Sequence, residues 1–217
     1  AIGGASPTQV SITTNPEGKF RLGIFENEVG GTGDMWRATA WTSTIVAALL
    51  TNTDLSKLEV SWDVAGRIDG PSAGGLMTTA VLAALRGKTV HDDATMTGTI
   101  NPDGTIGPVG GIPHKIAGAA KKGKKLILVP SGQRYDYDAN KKEQVDLVEL
   151  GRTLDVEVKE VADIYQAYTL LTGDELPKLA KANTRPEVTS QIFNRMQAKT
   201  REWQARYSDT VGRTATM

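Results

Sequence analysis

The chain has 217 residues, enough for one large domain or a domain with an appendage, and its 39% hydrophobic and 23% charged residues suit a folded protein with a real core. Lys+Arg and Asp+Glu each total 25, so no net charge points to nucleic acid or to an anionic membrane as partner. There is no cysteine, the two histidines (His91 and His114) fall in no metal-binding spacing, and no run of about 18 apolar residues could span a bilayer, so disulfides, metal, cofactor and a membrane span are not expected.

Residues 8–14 alternate and are rich in β-formers, which predicts a strand. Lys19 to Phe25 repeats the pattern after the turn Asn15-Pro16-Glu17-Gly18, giving an expected hairpin. A glycine-rich link, Gly30 to Gly33, leads to Asp34 as an expected N-cap, and apolar residues at helical spacing run from Met35 to Leu50. Leu58 to Val64 reads as a strand, followed by a loop from Gly66 to Pro71. Ser72 to Arg86 is nearly all small or apolar, the pattern of a buried helix, and Gly87 stops it. Thr95 to Ile100 is a predicted strand and Asn101-Pro102-Asp103-Gly104 a turn. Lys115 to Lys122 reads as a helix ended by Gly123, and Lys124 to Val129 as a buried strand closed by Pro130. Asp155 to Val161 is another strand, and Asp163 caps a helix through Leu171. Helices and strands are intermixed and the early strands cluster in hairpins, so the expected fold class is α+β rather than a doubly wound sheet.

From about Glu175 the character changes. Pro177, Pro186 and scattered Lys and Arg surround a polar helix of roughly Glu187 to Tyr207, whose apolar positions Val188, Ile192, Met196, Trp203 and Tyr207 leave a thin stripe. The expected division is a domain over residues 1–174 and a helical extension over 175–217, which docks on the domain or another subunit, or serves as a tail or linker. The chain opens Ala1-Ile2-Gly3-Gly4 rather than with Met. A processed start and an arbitrary boundary both fit, and so do a cytoplasmic protein and an exported one with its signal removed.

One segment invites chemistry. In Asp69-Gly70-Pro71-Ser72-Ala73-Gly74-Gly75 a serine stands where an irregular loop meets a predicted helix start, with free backbone N–H groups and the positive end of the helix dipole converging on it. Such a point can hold the oxyanion of acyl transfer, although a serine there is usually a simple N-cap. Neither histidine has an obvious acidic orienter that would make it a base. A lysine can substitute only when neutral, which demands burial, because each unit of pKa depression costs about 1.36 kcal/mol. Lys115, behind Val109-Gly110-Gly111-Ile112-Pro113 and followed by Ile116, Ala117, Ala119 and Ala120, fits that demand. Lys121, Lys122, Lys124 and Lys125 form a solvated charge run and do not.

Asp69-Gly-Pro-Ser-Ala-Gly, Met96-Thr97-Gly98-Thr99-Ile100, the stretch from Gly104 to Lys115 and Leu126-Ile127-Leu128-Val129-Pro130 together resemble the proteolytic domain of Lon peptidases over roughly residues 10–172. Gly33-Asp34-Met35 followed by a helix is similar to a Gly-Asp-Val-Met helix earlier in that domain. The register matches the family as well, with Thr97 25 residues and Lys115 43 residues after Ser72. The resemblance implies a serine endopeptidase acting on unfolded or flexible polypeptides, with Ser72 as nucleophile, Lys115 as base and Thr97 holding the lysine toward the serine. It also implies an oxyanion site from the backbone at Ser72, Ala73 and neighbours. Residues 69 and 70 complete the expected substrate loop, with the Asp69 carboxylate either capping the helix that follows or pairing with Lys115. Read alone, Thr97 is better taken as a β-branched strand residue. Family members form rings, so a homo-oligomer is compatible, and an inactive binding or assembly module is the competing reading.

Two departures from the pattern stand out. Lon proteins carry an ATPase whose phosphate loop reads Gly-x-x-x-x-Gly-Lys-Ser/Thr, whereas Gly87-Lys88-Thr89 here has Leu82 at the upstream position. The resemblance therefore implies an ATP-independent peptidase, a partner of a separate unfoldase, or a fragment. Trp62 and Asp63 stand where many relatives have histidines, which removes any accessory role for those, and His114 is expected on the surface.

Overall fold

Contacts divide the chain into two compact units, residues 1–178 and 179–217. The computed structural model describes residues 6–178 of the first and 188–214 of the second. It is mixed α and β, with small sheets packed against helices, as expected.

In the first unit Thr8–Thr14 (β1), Arg21–Glu26 (β2) and Leu58–Val64 (β3) form a sheet in the order β1-β3-β2. The expected β1–β2 hairpin is therefore not formed. β3 lies between the two, antiparallel to β1 and parallel to β2, with Trp62 opposite Val10 on one side and Ile24 on the other. Its composition explains the insertion. Val60, Trp62 and Val64 are all buried, and the most apolar strand takes the position where both edges are covered. The turn after β1 still reverses the chain but is held open. The Asn15 N–H donates to the Lys57 carbonyl at 2.8 Å, while its side chain accepts from the Glu17 N–H and donates to the Lys19 carbonyl.

Asp34–Thr51 (α1) and Gly74–Leu85 (α2) pack together beneath this sheet. Trp36, Ala40 and Ala47 of α1 meet Met77, Val81 and Leu82 of α2 in one core, where Trp36 and Trp62 stack edge to face at 6.1 Å. Asp34 is the first residue of α1 rather than its cap; the cap position is Gly33. α2 starts two residues later than the expected Ser72, so Ser72 lies in the preceding turn.

The predicted strand from Thr95 to Ile100 is broken. Ala94–Met96 (β4) pairs in parallel with a later strand, whereas Thr99–Ile100 (β5) pairs antiparallel with Ile106–Gly107 (β6). The break falls at Thr97–Gly98, because the Thr97 N–H still bonds to the Leu128 carbonyl while the Gly98 N–H turns away to the Ser72 carbonyl. Next comes Ile112–Lys121 (α3), three residues ahead of its expected start. Pro113 is tolerated there because a first-turn N–H has no helical partner to lose. Leu126–Pro130 (β7) is the centre of a parallel sheet, with β4 on one side and Glu157–Val161 (β10) on the other. Between β7 and β10 the chain forms a hairpin, Tyr135–Asp138 (β8) and Glu143–Asp146 (β9), and a short helix, Leu147–Thr153 (α4). Ile164–Thr172 (α5) closes the unit, and its expected cap is in place, Asp163 accepting from the Gln166 N–H at 2.9 Å.

Among the described residues the second unit holds one helix, Ser190–Thr214 (α6), with no buried residue. Ile192, Met196, Trp203 and Tyr207 are exposed along it and Val188 is exposed just before it, while the expected start at Glu187 lies outside the described residues. Among the described residues no helix is long and apolar enough to cross a membrane.

Candidate active site

Three segments distant in sequence converge on one cavity of about 160 Å³, lined by Ser72, Thr97 and Lys115 together with Leu76, Met96 and Ile127. The Ser72 turn is fixed from within by the Gly74 N–H donating to the Pro71 carbonyl at 3.1 Å. It is fixed from outside by the broken strand. The Ser72 carbonyl accepts from the Gly98 N–H at 2.8 Å and from Thr97 Oγ1 at 3.2 Å, while the Gly75 N–H donates to the Gly98 carbonyl at 3.0 Å. The lack of side chains leaves room for this approach. A Cβ on Gly75 would lie 2.5 Å from Met96 Cε, and one on Gly98 2.5 Å from Ile106 Cγ2. From α1, Ser43 Oγ donates to the Gly74 carbonyl at 3.1 Å and anchors the first residue of α2.

Asp69 serves neither expected purpose. Its Oδ1 accepts from the Trp36 N–H at 3.1 Å and the Gly70 N–H at 2.7 Å. Gly33 has no side chain to cap α1, and a Cβ there would lie 2.1 Å from Asp69 Cγ. The Asp69 carboxylate fills that gap and caps the preceding helix from across the fold. α2 has no side-chain cap, and the nearby charge acting on Lys115 is that of Asp136. Gly70, at φ +95, makes the left-handed bend that brings the loop round to Ser72, and its N–H is spent on Asp69. Ala73 is the N-cap residue of α2, its carbonyl accepting from the Met77 N–H. No hydrogen bond among the described residues uses the N–H of Ser72 or of Ala73.

Thr97 is 6% exposed, and its hydroxyl joins the other two residues. A carbonyl only accepts, so Thr97 Oγ1 donates its proton to the Ser72 carbonyl and is left to accept from Lys115 Nζ at 3.1 Å. Lys115 is the fourth residue of α3 and partly buried. Burial lowers its pKa below that of a free lysine, against the opposing charge of Asp136.

His114 is not the surface residue expected. Its side chain is 11% exposed, with Nε2 3.7 Å from Asp138 Oδ1. One residue along a helix turns the side chain by about 100°, so a neighbour of the cavity-facing Lys115 faces the β8–β9 hairpin instead. Sequence reasoning also missed Asp136, whose Oδ2 accepts from the Ile112 N–H at 2.8 Å. The alternation Tyr135-Asp136-Tyr137-Asp138, which puts two carboxylates on one strand face, was the available signal.

The Lon protease (S16) C-terminal proteolytic domain family matches residues 56–165, just over half of the chain and including the whole Ser72–Thr97–Lys115 cluster. The chain belongs to this family. It is 46% identical to a Lon protease of Methylocella silvestris over 70 residues, covering 32% of this chain and 9% of that protein. A Lon protease of Lawsonia intracellularis is 36% identical over 121 residues, 56% of this chain and 12% of that protein. A mitochondrial Lon protease homolog of Phaeodactylum tricornutum is 33% identical over 133 residues, 56% of this chain and 15% of that protein. The chain thus spans between 9% and 15% of the length of these Lon relatives.

Proposed function

We propose that this chain is a serine endopeptidase in which Ser72 is the nucleophile and Lys115 the general base, cleaving peptide bonds in unfolded or flexible polypeptides without consuming ATP. The observation that carries this reading is the hydroxyl of Thr97, bonded to Lys115 Nζ on one side and to the Ser72 carbonyl on the other, inside a shared cavity. Membership of a family of proteolytic domains supports the reaction class.

The chemistry follows from the parts. A neutral Lys115 gives one N–H to Thr97 and keeps its lone pair for the Ser72 hydroxyl. Ser72 Oγ attacks the scissile carbonyl as its proton passes to Lys115, forming a C–O bond and an oxyanion. The unused N–H groups of Ser72 and Ala73, at the positive end of the 12-residue α2, suit that charge. The C–N bond then breaks, Lys115 returns the proton to the leaving amine, and the acyl group remains on Ser72. Water attacks the ester with Lys115 again as base, and Ser72 departs with the proton. Asp69 and Gly70 act indirectly in this reading, by fixing the loop that aims Ser72. No Gly-x-x-x-x-Gly-Lys-Ser/Thr loop occurs among these 217 residues, and no step above draws on nucleotide.

Degradation of casein, with and without ATP, tests the proposal on the wild type, Ser72→Ala and Lys115→Ala. The wild type is expected to cleave equally in both conditions and each variant to fall to the background rate while its circular dichroism is unchanged. Near-normal turnover by either variant would overturn the mechanism. A strict ATP requirement would overturn its nucleotide independence.

A further inference from the structure

Lys115 can act as a base only if α3 holds it at the right place and its amine is not driven too far from the working pH. α3 is poorly equipped to fix its own start. Its N-cap residue, Gly111, offers no side chain, and Pro113 has no N–H. The help comes from the β8–β9 hairpin, which leans two carboxylates on α3. Asp136 Oδ2 accepts from the Ile112 N–H, the first of the helix, at 2.8 Å, and its Oδ1 accepts from its own neighbour, the Tyr137 N–H, at 2.9 Å. Asp138, two residues on and on the same strand face, sits 3.7 Å from His114 Nε2 and is fixed by the N–H groups of Asn140 and Lys141. Residues 112, 114 and 115 share one helical turn, so the hairpin grips the turn from which Lys115 projects.

We propose that Asp136 is a positioning residue for Lys115, holding the start of α3 through the Ile112 N–H and presenting its carboxylate charge to the amine. This rests on the peptidase reading above and adds to it the element that tunes the base. The surroundings of Lys115 supply few competing charges. β7 contributes Leu126 to Pro130 and β4 Ala94 to Met96, none of them titratable. On α4, Glu149 and Arg152 pair with each other. Asp138 faces His114, and Asp69 is committed to the start of α1. Asp136 is the charge that opposes the effect of burial on Lys115. A carboxylate at a helix N-terminus is also favoured by the helix dipole, so both tasks suit one ionised side chain.

Asp136→Asn separates the two tasks, because the amide oxygen still accepts from the Ile112 N–H while the charge is gone. Two readouts are needed. In the Ser72→Ala background, the pH dependence of Lys115 acetylation by acetic anhydride, followed by mass spectrometry, reports the amine without any turnover. The midpoint is expected to fall by about one pH unit in Asp136→Asn. In the protein with Ser72 intact, the acid limb of kcat/KM on casein should move down by the same amount. Asp136→Ala, which loses the bond as well, should lower kcat by about 10- to 100-fold with little change in KM. An unmoved acetylation midpoint in folded Asp136→Asn, or wild-type kcat in Asp136→Ala, would overturn the inference. Labelling does not require catalysis, so its failure condemns this inference alone, whereas loss of Ser72-dependent cleavage condemns the peptidase reading.

Discussion

Thr97→Val is the sharpest perturbation of the site, because it keeps the β-branched shape of a residue that is 6% exposed and deletes only its hydroxyl. Two hydrogen bonds go, to Lys115 Nζ at 3.1 Å and to the Ser72 carbonyl at 3.2 Å. The carbonyl is not orphaned, since the Gly98 N–H still donates to it at 2.8 Å, so the fold should lose little. The amine loses the partner that aims it. At about 0.5–1.5 kcal/mol for each bond, the loss is about 1–3 kcal/mol, which becomes roughly a 5- to 150-fold fall in kcat if that orienting energy is realised only in the transition state. Steady-state cleavage of labelled casein measures it, with thermal melts as the control for folding. Thr97→Ser, which restores the hydroxyl, should recover most of the rate. A Thr97→Val enzyme with kcat within about twofold of wild type and an unchanged melt would refute the reasoning and return Thr97 to a packing role.

The pH profile is a second expectation. Burial lowers the Lys115 pKa, only the neutral amine accepts a proton, and so kcat/KM should rise with pH through a limb that lies below the ordinary lysine range. A profile that is flat or falling between about pH 6 and 9 on intact protein contradicts this. A third concerns Gly33, where a Cβ would sit 2.1 Å from Asp69 Cγ. Gly33→Ala should expel the carboxylate from its bond to the Trp36 N–H and cost about 1 kcal/mol of stability, the usual value of a lost cap. Asp69→Ala should cost about the same, and the double variant barely more than either alone. Additive losses would mean that the two positions do not share one interaction.

What the sequence made legible was local. The small and apolar run after Ser72, the Asp163 cap and the register from Ser72 to Thr97 and Lys115 are each set by residues close along the chain or at fixed spacing. What it hid depends on partners far away. Asn15-Pro16-Glu17-Gly18 announces a reversal and says nothing of which strand will enter the gap, yet β3 does. Asp69 looks like a cap for the helix just after it, but the N–H it satisfies belongs to Trp36, 33 residues upstream. His114 stands next to Lys115 at the start of α3, and only the fold shows that it is mostly covered by a hairpin that begins at Tyr135. Thr97 reads as one more strand residue because nothing local reveals that Gly98 leaves the sheet to bond with Ser72.

These long-range contacts bear directly on the chemistry. A lysine is a base at moderate pH only where water is largely kept from it, and its neighbours in sequence cannot arrange that. Lys121, Lys122 and Lys125 are exposed, Lys124 Nζ reaches the Asp92 carbonyl and Lys125 pairs with Asp155, so each keeps a polar partner or solvent. Lys115 differs because β4, β7 and α2 wall its cavity with Met96, Ile127 and Leu76, while Thr97 offers an oxygen that carries no charge. A neutral hydroxyl orients the amine without stabilising its protonated form as strongly as a carboxylate would. Asp136, the one carboxylate among the described residues whose charge reaches it, is itself bonded to the first N–H of the same helix. The strength of the proposed base and its position are therefore set by a single helix start, so a change that frees the turn at residues 112–115 should disturb both at once.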